Sequence, residues 1–184
     1  MLANTWNISR ILIGLSLFFT LLSFFIPEIR LFWINSYFLA QEMYFQLWAQ
    51  VFISEFLHWW ILHLMFNSIF ILYFGSIVEQ ILGSKKYLIF FILNSIFIAG
   101  VILFFGSGNT IGISWFAMAT LSYYTIELWH KKNPEYTGWI TAIVINVFIW
   151  LSPGISFLGH AWGAIFWIII WVLFHFVKPI KLYS

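Results

Sequence analysis

FLHWWILHLMFNSIFILYFGSIVEQIL, residues Phe56 to Leu82, runs for 27 residues with one side chain charged at neutral pH, Glu79, close to its end. A helix needs about 20 apolar residues to cross a bilayer. The stretch is therefore long enough to span, and Gly83-Ser84-Lys85-Lys86 closes it with a turn and two cations. It is too continuously apolar for an outer-membrane barrel, whose strands alternate. Its chemistry-bearing residues are His58, His63, Asn67 and Glu79. His63 and Asn67 are four apart, which puts them on one helix face. The same stripe continues through Ile71, Gly75 and Glu79.

Five more runs of this kind flank it. They cover Ile11 to Ile26, Tyr87 to Phe105, Ile111 to Trp129, Tyr136 to Leu151 and Phe157 to Val177. Each ends on Pro, Gly or lysines: Pro27-Glu28, Gly106 to Thr110, Lys131-Lys132-Asn133-Pro134, Ser152-Pro153-Gly154 and Lys178-Pro179. Six spans place Arg10, Lys85, Lys86, Lys131, Lys132, Lys178 and Lys181 on one side and Arg30 alone on the other. Basic residues concentrate on the cytoplasmic side. The expectation is six membrane helices with both termini cytoplasmic, the first run being a retained anchor rather than a cleaved signal. Residues 27 to 55 are then an outer connection. Phe32, Trp33, Tyr37, Phe38, Tyr44, Phe45 and Trp48 crowd it, as they do at membrane interfaces. We expect it to be partly helical and half embedded. No internal repeat or low-complexity tract divides the chain, so residues 1 to 184 read as one all-α membrane domain.

Composition agrees. Of the 184 residues 63% are hydrophobic and 8% charged, and mean hydropathy is +0.98. Soluble domains carry about 25% charged residues. A soluble enzyme, a disordered tail and a nucleic-acid module are excluded. There is no Cys, and all six acidic residues are Glu. Thiol chemistry, an aspartyl dyad and a Ser-His-Asp triad are therefore excluded too. No HExxH motif offers a zinc protease site, and His58 and His63, five apart, point to different faces, so neither a metal nor a cofactor is expected.

A polar group inside the bilayer is costly unless it is satisfied or used. Ser114, His160 and His63 stand fifteen, eighteen and sixteen residues above Trp129, Lys178 and Glu79, three markers of the inner interface. At about 1.5 Å per residue that is roughly 22–27 Å, a shared level just below the outer surface of a core about 30 Å thick. Asn67 is one turn deeper. Serine becomes a nucleophile when a base takes its proton, and histidine is the usual base. With no Asp in the chain and no Glu expected at that depth, the natural reading is a Ser114–His160 dyad. His63, Asn67 and the Ser114 amide can serve as donors to an oxyanion.

The ordered set His58-x4-His63-x3-Asn67, Gly75-x3-Glu79, Gly112-x-Ser114 and His160-x2-Gly163 resembles the rhomboid intramembrane serine proteases, over about residues 48 to 177. The resemblance implies a minimal six-helix rhomboid-like bundle and a serine-type endopeptidase. Ser114 would be the nucleophile, His160 the base, and His63 and Asn67 the oxyanion donors. Gly112 and Gly163 would allow close helix approach. The implied partners are transmembrane-helix protein substrates and membrane lipids, with no nucleic acid. Substrate entry would be lateral, near Trp60, Trp139 and Phe148. The setting implied is a prokaryotic cell membrane. The chain differs from the family pattern at Trp115, usually Gly, at Met118, often aromatic, at Trp167, usually Gly, and at Trp48-Ala49-Gln50, usually bearing a Trp-Arg pair.

Blander readings stand beside these. Ser114 alone is equally a helix N-cap. His63 and Asn67 alone are equally interhelical glue. His58 and Glu79 read as structural, and Glu55 as solvated at the outer interface. The alternative for the whole chain, motivated by Trp115 and Met118, is a catalytically inactive rhomboid-like protein that binds membrane helices. A transporter is disfavoured by the lack of a charge at mid-membrane.

Overall fold

The computed structural model describes residues 7–106, 109–149 and 157–176. Leu151, Val177, Lys178 and Lys181 lie outside them, as does the side chain of Phe148. Helices stand at all six expected runs: α1 (Asn7–Phe25), α4 (Ile61–Phe70) continuing through a π-helical turn (Ile71–Gly75) into α5 (Ser76–Leu82), α6 (Ser84–Phe105), α7 (Ser114–His130), α8 (Tyr136–Ile149) and α9 (Phe157–Phe176). Among the described residues three of these are long and apolar enough to cross a membrane by length and composition, over Ile8–Phe25, Ile61–Leu82 and Ser84–Phe105. The connection between the first two carries a 3-10 turn (Pro27–Phe32), α2 (Tyr37–Ala40) and α3 (Tyr44–Phe56). It is therefore partly helical, as expected.

The second span starts later than the hydropathy suggests, at Ile61 rather than Phe56. Leu57 and Trp60 are extended. A clasp from α1 sits at this break. The Thr20 hydroxyl donates to the Phe56 carbonyl at 3.1 Å and stands 3.2 Å from His58 Nδ1. Hydropathy alone does not see such a side-chain bond. His58 is thus tied to α1.

The π turn keeps the polar stripe on one side. Residues four apart drift by about 40° per step on a regular α-helix, and an inserted π turn takes back about one residue of rotation. Asn67, Ile71, Gly75 and Glu79 are accordingly all buried. At the foot of the stripe Glu79 accepts from Ile8 N (3.1 Å), Ser9 N (3.0 Å) and Ser9 Oγ (2.9 Å), and from Ser84 Oγ (2.7 Å). A carboxylate on two first-turn amides caps α1 and complements its dipole.

The core surrounds α7, buried without a break from Ser114 to Tyr123. Phe116 stacks its edges on Tyr87, Phe90 and Phe91 of α6, with ring centroids 5.1–5.5 Å apart. Phe166 of α9 lies parallel to Phe97 at 4.7 Å. At the far end of α7 the Trp171 indole of α9 donates to Glu127 at 3.2 Å. Large apolar side chains such as Phe18, Phe25, Phe66, Ile69 and Phe104 stay exposed. In water such a surface would be an aggregation site; in a bilayer it is the lipid face.

Candidate active site

The loop before α7 is anchored from two directions. Ile34 and Thr110 pair as an antiparallel bridge, N–H to carbonyl in both directions at 2.9 and 3.0 Å. Gly112 N donates to the Ser54 carbonyl of α3 at 2.9 Å. Gly112 then turns with φ +104°, a conformation that side-chain-bearing residues rarely adopt. The space above it is taken by the second span. A Cβ on Gly112 would lie 2.9 Å from His63 Cε1 and 3.6 Å from Asn67 Nδ2. His63, Asn67 and Gly112 therefore meet two residues before Ser114.

Ser114 is the first helical residue of α7. The N-cap position falls on Ile113 and carries no side-chain bond, so the bland N-cap reading of Ser114 does not hold. The first amides of a helix have no intrahelical acceptor, and that of Ser114 is one of them. Asn67 Nδ2, a buried donor, has no hydrogen-bond partner among the described residues.

His160 is buried in the first turn of α9 and lies within electrostatic reach of His63. The His63 ring in turn meets that of His58 edge-on at 4.9 Å, contrary to the expectation that the two point to different faces, because His58 lies before the helix that begins at Ile61. One turn after His160, Gly163 lets α9 approach α7 closely: a Cβ there would sit 2.5 Å from the Trp115 carbonyl oxygen. The start of α7 and the second turn of α9 thus pack backbone to backbone at Trp115–Gly163. His63 and Asn67 thus meet Gly112, two residues before Ser114, and Gly163 meets Trp115, one residue after it.

One prior expectation is corrected. Glu55 is not solvated but 0% exposed. Helix α3 buries Gln50, Val51, Ser54 and Glu55, positions i, i+1, i+4 and i+5 that share a face. That face turns inward under the aromatics Tyr44, Phe45 and Trp48, which stay exposed. The polar stripe at helical spacing was visible in the sequence. Aromatic outer positions beside polar inner ones reverse the soluble-protein pattern, and that reversal was the available signal.

An all-helical bundle of described residues that leaves large apolar side chains exposed and buries polar ones defines an integral membrane protein. The Rhomboid domain model matches residues 44–176, and the chain belongs to the rhomboid family. Among curated proteins it is similar to Rhomboid protease GlpG of Yersinia pseudotuberculosis serotype I, 31% identical over 95 residues. That match covers 52% of this chain and 33% of the relative, so the chain aligns with about a third of the relative's length. No solved structure matches the chain.

Proposed function

We propose that the chain is an intramembrane serine endopeptidase that cleaves peptide bonds in or near transmembrane helices of membrane proteins. In this reading His160 takes the Ser114 proton as Oγ attacks the scissile carbonyl. The oxyanion receives the Ser114 amide, the Asn67 amide and His63. His160 then protonates the leaving amine, and a water, deprotonated by His160, hydrolyses the acyl-enzyme. The observation that carries the reading is Asn67 Nδ2: a buried donor without a partner among the described residues, held beside Gly112 two residues from Ser114. A buried unsatisfied donor costs about 1–3 kcal/mol, and an oxyanion in the transition state repays it. Glue between helices would leave no such donor unspent.

The same reading takes all six helices as spans, both termini as cytoplasmic and the site as lying a few ångströms below the outer surface, where water reaches it. The aromatic outer connection is half embedded in this arrangement. The substrate helix enters laterally between the second and fifth spans, where Phe74 meets Trp139 edge-on at 5.0 Å. A second reading, a non-catalytic binder of membrane helices, rests on Trp115 and Met118.

A fluorophosphonate probe separates the two. The wild type is expected to label covalently, and Ser114→Ala and His160→Ala to lose labelling and cleavage of a model transmembrane substrate. Labelling that survives Ser114→Ala, or a wild type that neither labels nor cleaves, overturns the protease reading.

A further inference from the structure

Thr20 of α1 is 0% exposed and His58 4%, and their contact fixes the place of a proton. The Thr20 hydroxyl has one hydrogen. It goes to the Phe56 carbonyl at 3.1 Å, a group that can only accept. Towards His58 Nδ1, at 3.2 Å, the Thr20 oxygen is then an acceptor, so Nδ1 carries the hydrogen and donates. In the neutral ring that burial favours, this is the Nδ1–H tautomer. The reverse arrangement, with Thr20 donating to Nδ1, would take its proton from the buried Phe56 carbonyl. His58 Nε2 is buried and has no partner among the described residues, so the bond to Thr20 is what turns the ring.

The orientation of that ring has a use because of what it touches. His58 precedes α4, in the stretch between two helices, so helical geometry does not place it. It meets the His63 ring with centroids 4.9 Å and planes 70° apart. The Cε1–Nε2 edge of His63 lies over Gly112, 2.9 and 3.2 Å from where a Cβ would stand. Contacts thus run from Thr20 through His58 and His63 to the loop two residues before Ser114. We propose that His58 is a positioning residue for His63, held in the Nδ1–H form by Thr20, and that it sets the angle at which His63 offers its N–H to the oxyanion. This rests on the protease reading above. It gives α1, which lies outside the residues matched by the Rhomboid domain model, a part in the site.

The full chain in detergent micelles, labelled with 15N-histidine, supplies the test, with kcat and KM measured on a model helix substrate. Couplings between ring nitrogens and ring protons distinguish the tautomers. His58→Phe and His63→Ala assign the two rings by the loss of their resonances. Wild-type His58 is expected to carry its proton on Nδ1. Thr20→Ser keeps the hydroxyl, and is expected to keep the tautomer and to hold kcat within about threefold. Thr20→Val keeps the shape alone. It is expected to move the His58 proton to Nε2, to shift the His63 resonances and to lower kcat about tenfold with KM unchanged. His58→Phe should lower kcat similarly, and the double variant Thr20→Val/His58→Phe no further. A double variant much worse than either single one would place the effect of Thr20 at the Phe56 carbonyl and overturn the proposal. A wild-type His58 protonated on Nε2, wild-type kcat in Thr20→Val, or Thr20→Ser failing as Thr20→Val does, overturns it too. An inert wild type overturns the catalytic claim together with the protease reading; His58 and His63 resonances that then change in Thr20→Val but not in Thr20→Ser uphold the positioning of His63 on its own.

Discussion

Gly112 combines two constraints at one residue, a φ of +104° and the His63 ring where a Cβ would go. Gly112→Ala is expected to cost about 1–3 kcal/mol from the backbone alone, and to displace His63 from the loop. Both effects are measurable, as a lower midpoint of thermal unfolding in detergent and as lost probe labelling. A folded, fully labelled Gly112→Ala would show that His63 has no part at the site. Glu55 adds a pH term. Its carboxyl rests at about 8 against an ordinary 4.5, so the folded chain keeps a proton that the unfolded chain releases over that window. Its contribution to stability therefore falls as pH rises from about 4.5 to 8 and is level above. The unfolding midpoint of the wild type relative to Glu55→Gln is expected to drop between pH 5 and pH 9. A difference constant with pH would mean that Glu55 is ionised throughout.

At the scale of elements, α1 depends on a residue seventy positions away. Glu79 takes both Ile8 and Ser9 amides and the Ser9 hydroxyl. Hydrogen bonds to a charged group contribute about 1.5–3 kcal/mol each, not additively. Glu79→Ala is expected to lower stability by at least about 2 kcal/mol and to raise amide exchange in the first turn of α1, while Ser114 still reacts with a probe at a measurable rate. Slow exchange unchanged in that turn would mean that α1 is held by its apolar face alone. The long stripe from His63 to Glu79 also needed an element-level device. Its fourfold spacing was legible in the sequence. The π turn at Ile71–Gly75 that keeps it aligned was not, because no residue there signals a change of helical pitch.

For the whole molecule, topology is the quantity to measure. The chain has no cysteine, so single cysteines report cleanly. Ser36 and Lys132 are both exposed, and lie in the loop after α1 and the loop after α7. With Ser36→Cys, a membrane-impermeant maleimide is expected to label intact cells. With Lys132→Cys, labelling is expected only after permeabilisation. The reverse pattern would invert the proposed orientation, and labelling of both from outside would refute the six-span count.

The sequence alone determined that lipid is the solvent and where the long helices lie, and it singled out the candidate site residues. Apolar run length and lysine placement are local properties that the bilayer reads directly. It also carried the ordered motif that led to the rhomboid family. Tertiary structure decided what runs of hydropathy cannot hold. Thr20 of α1 took the Phe56 carbonyl where the chain leaves α3 and runs on to Ile61, and the inward face of α3 buried Glu55. The first depends on a side chain far away in sequence satisfying a polar atom. In a membrane, where water does not compete for that atom, such a bond outweighs the local preference.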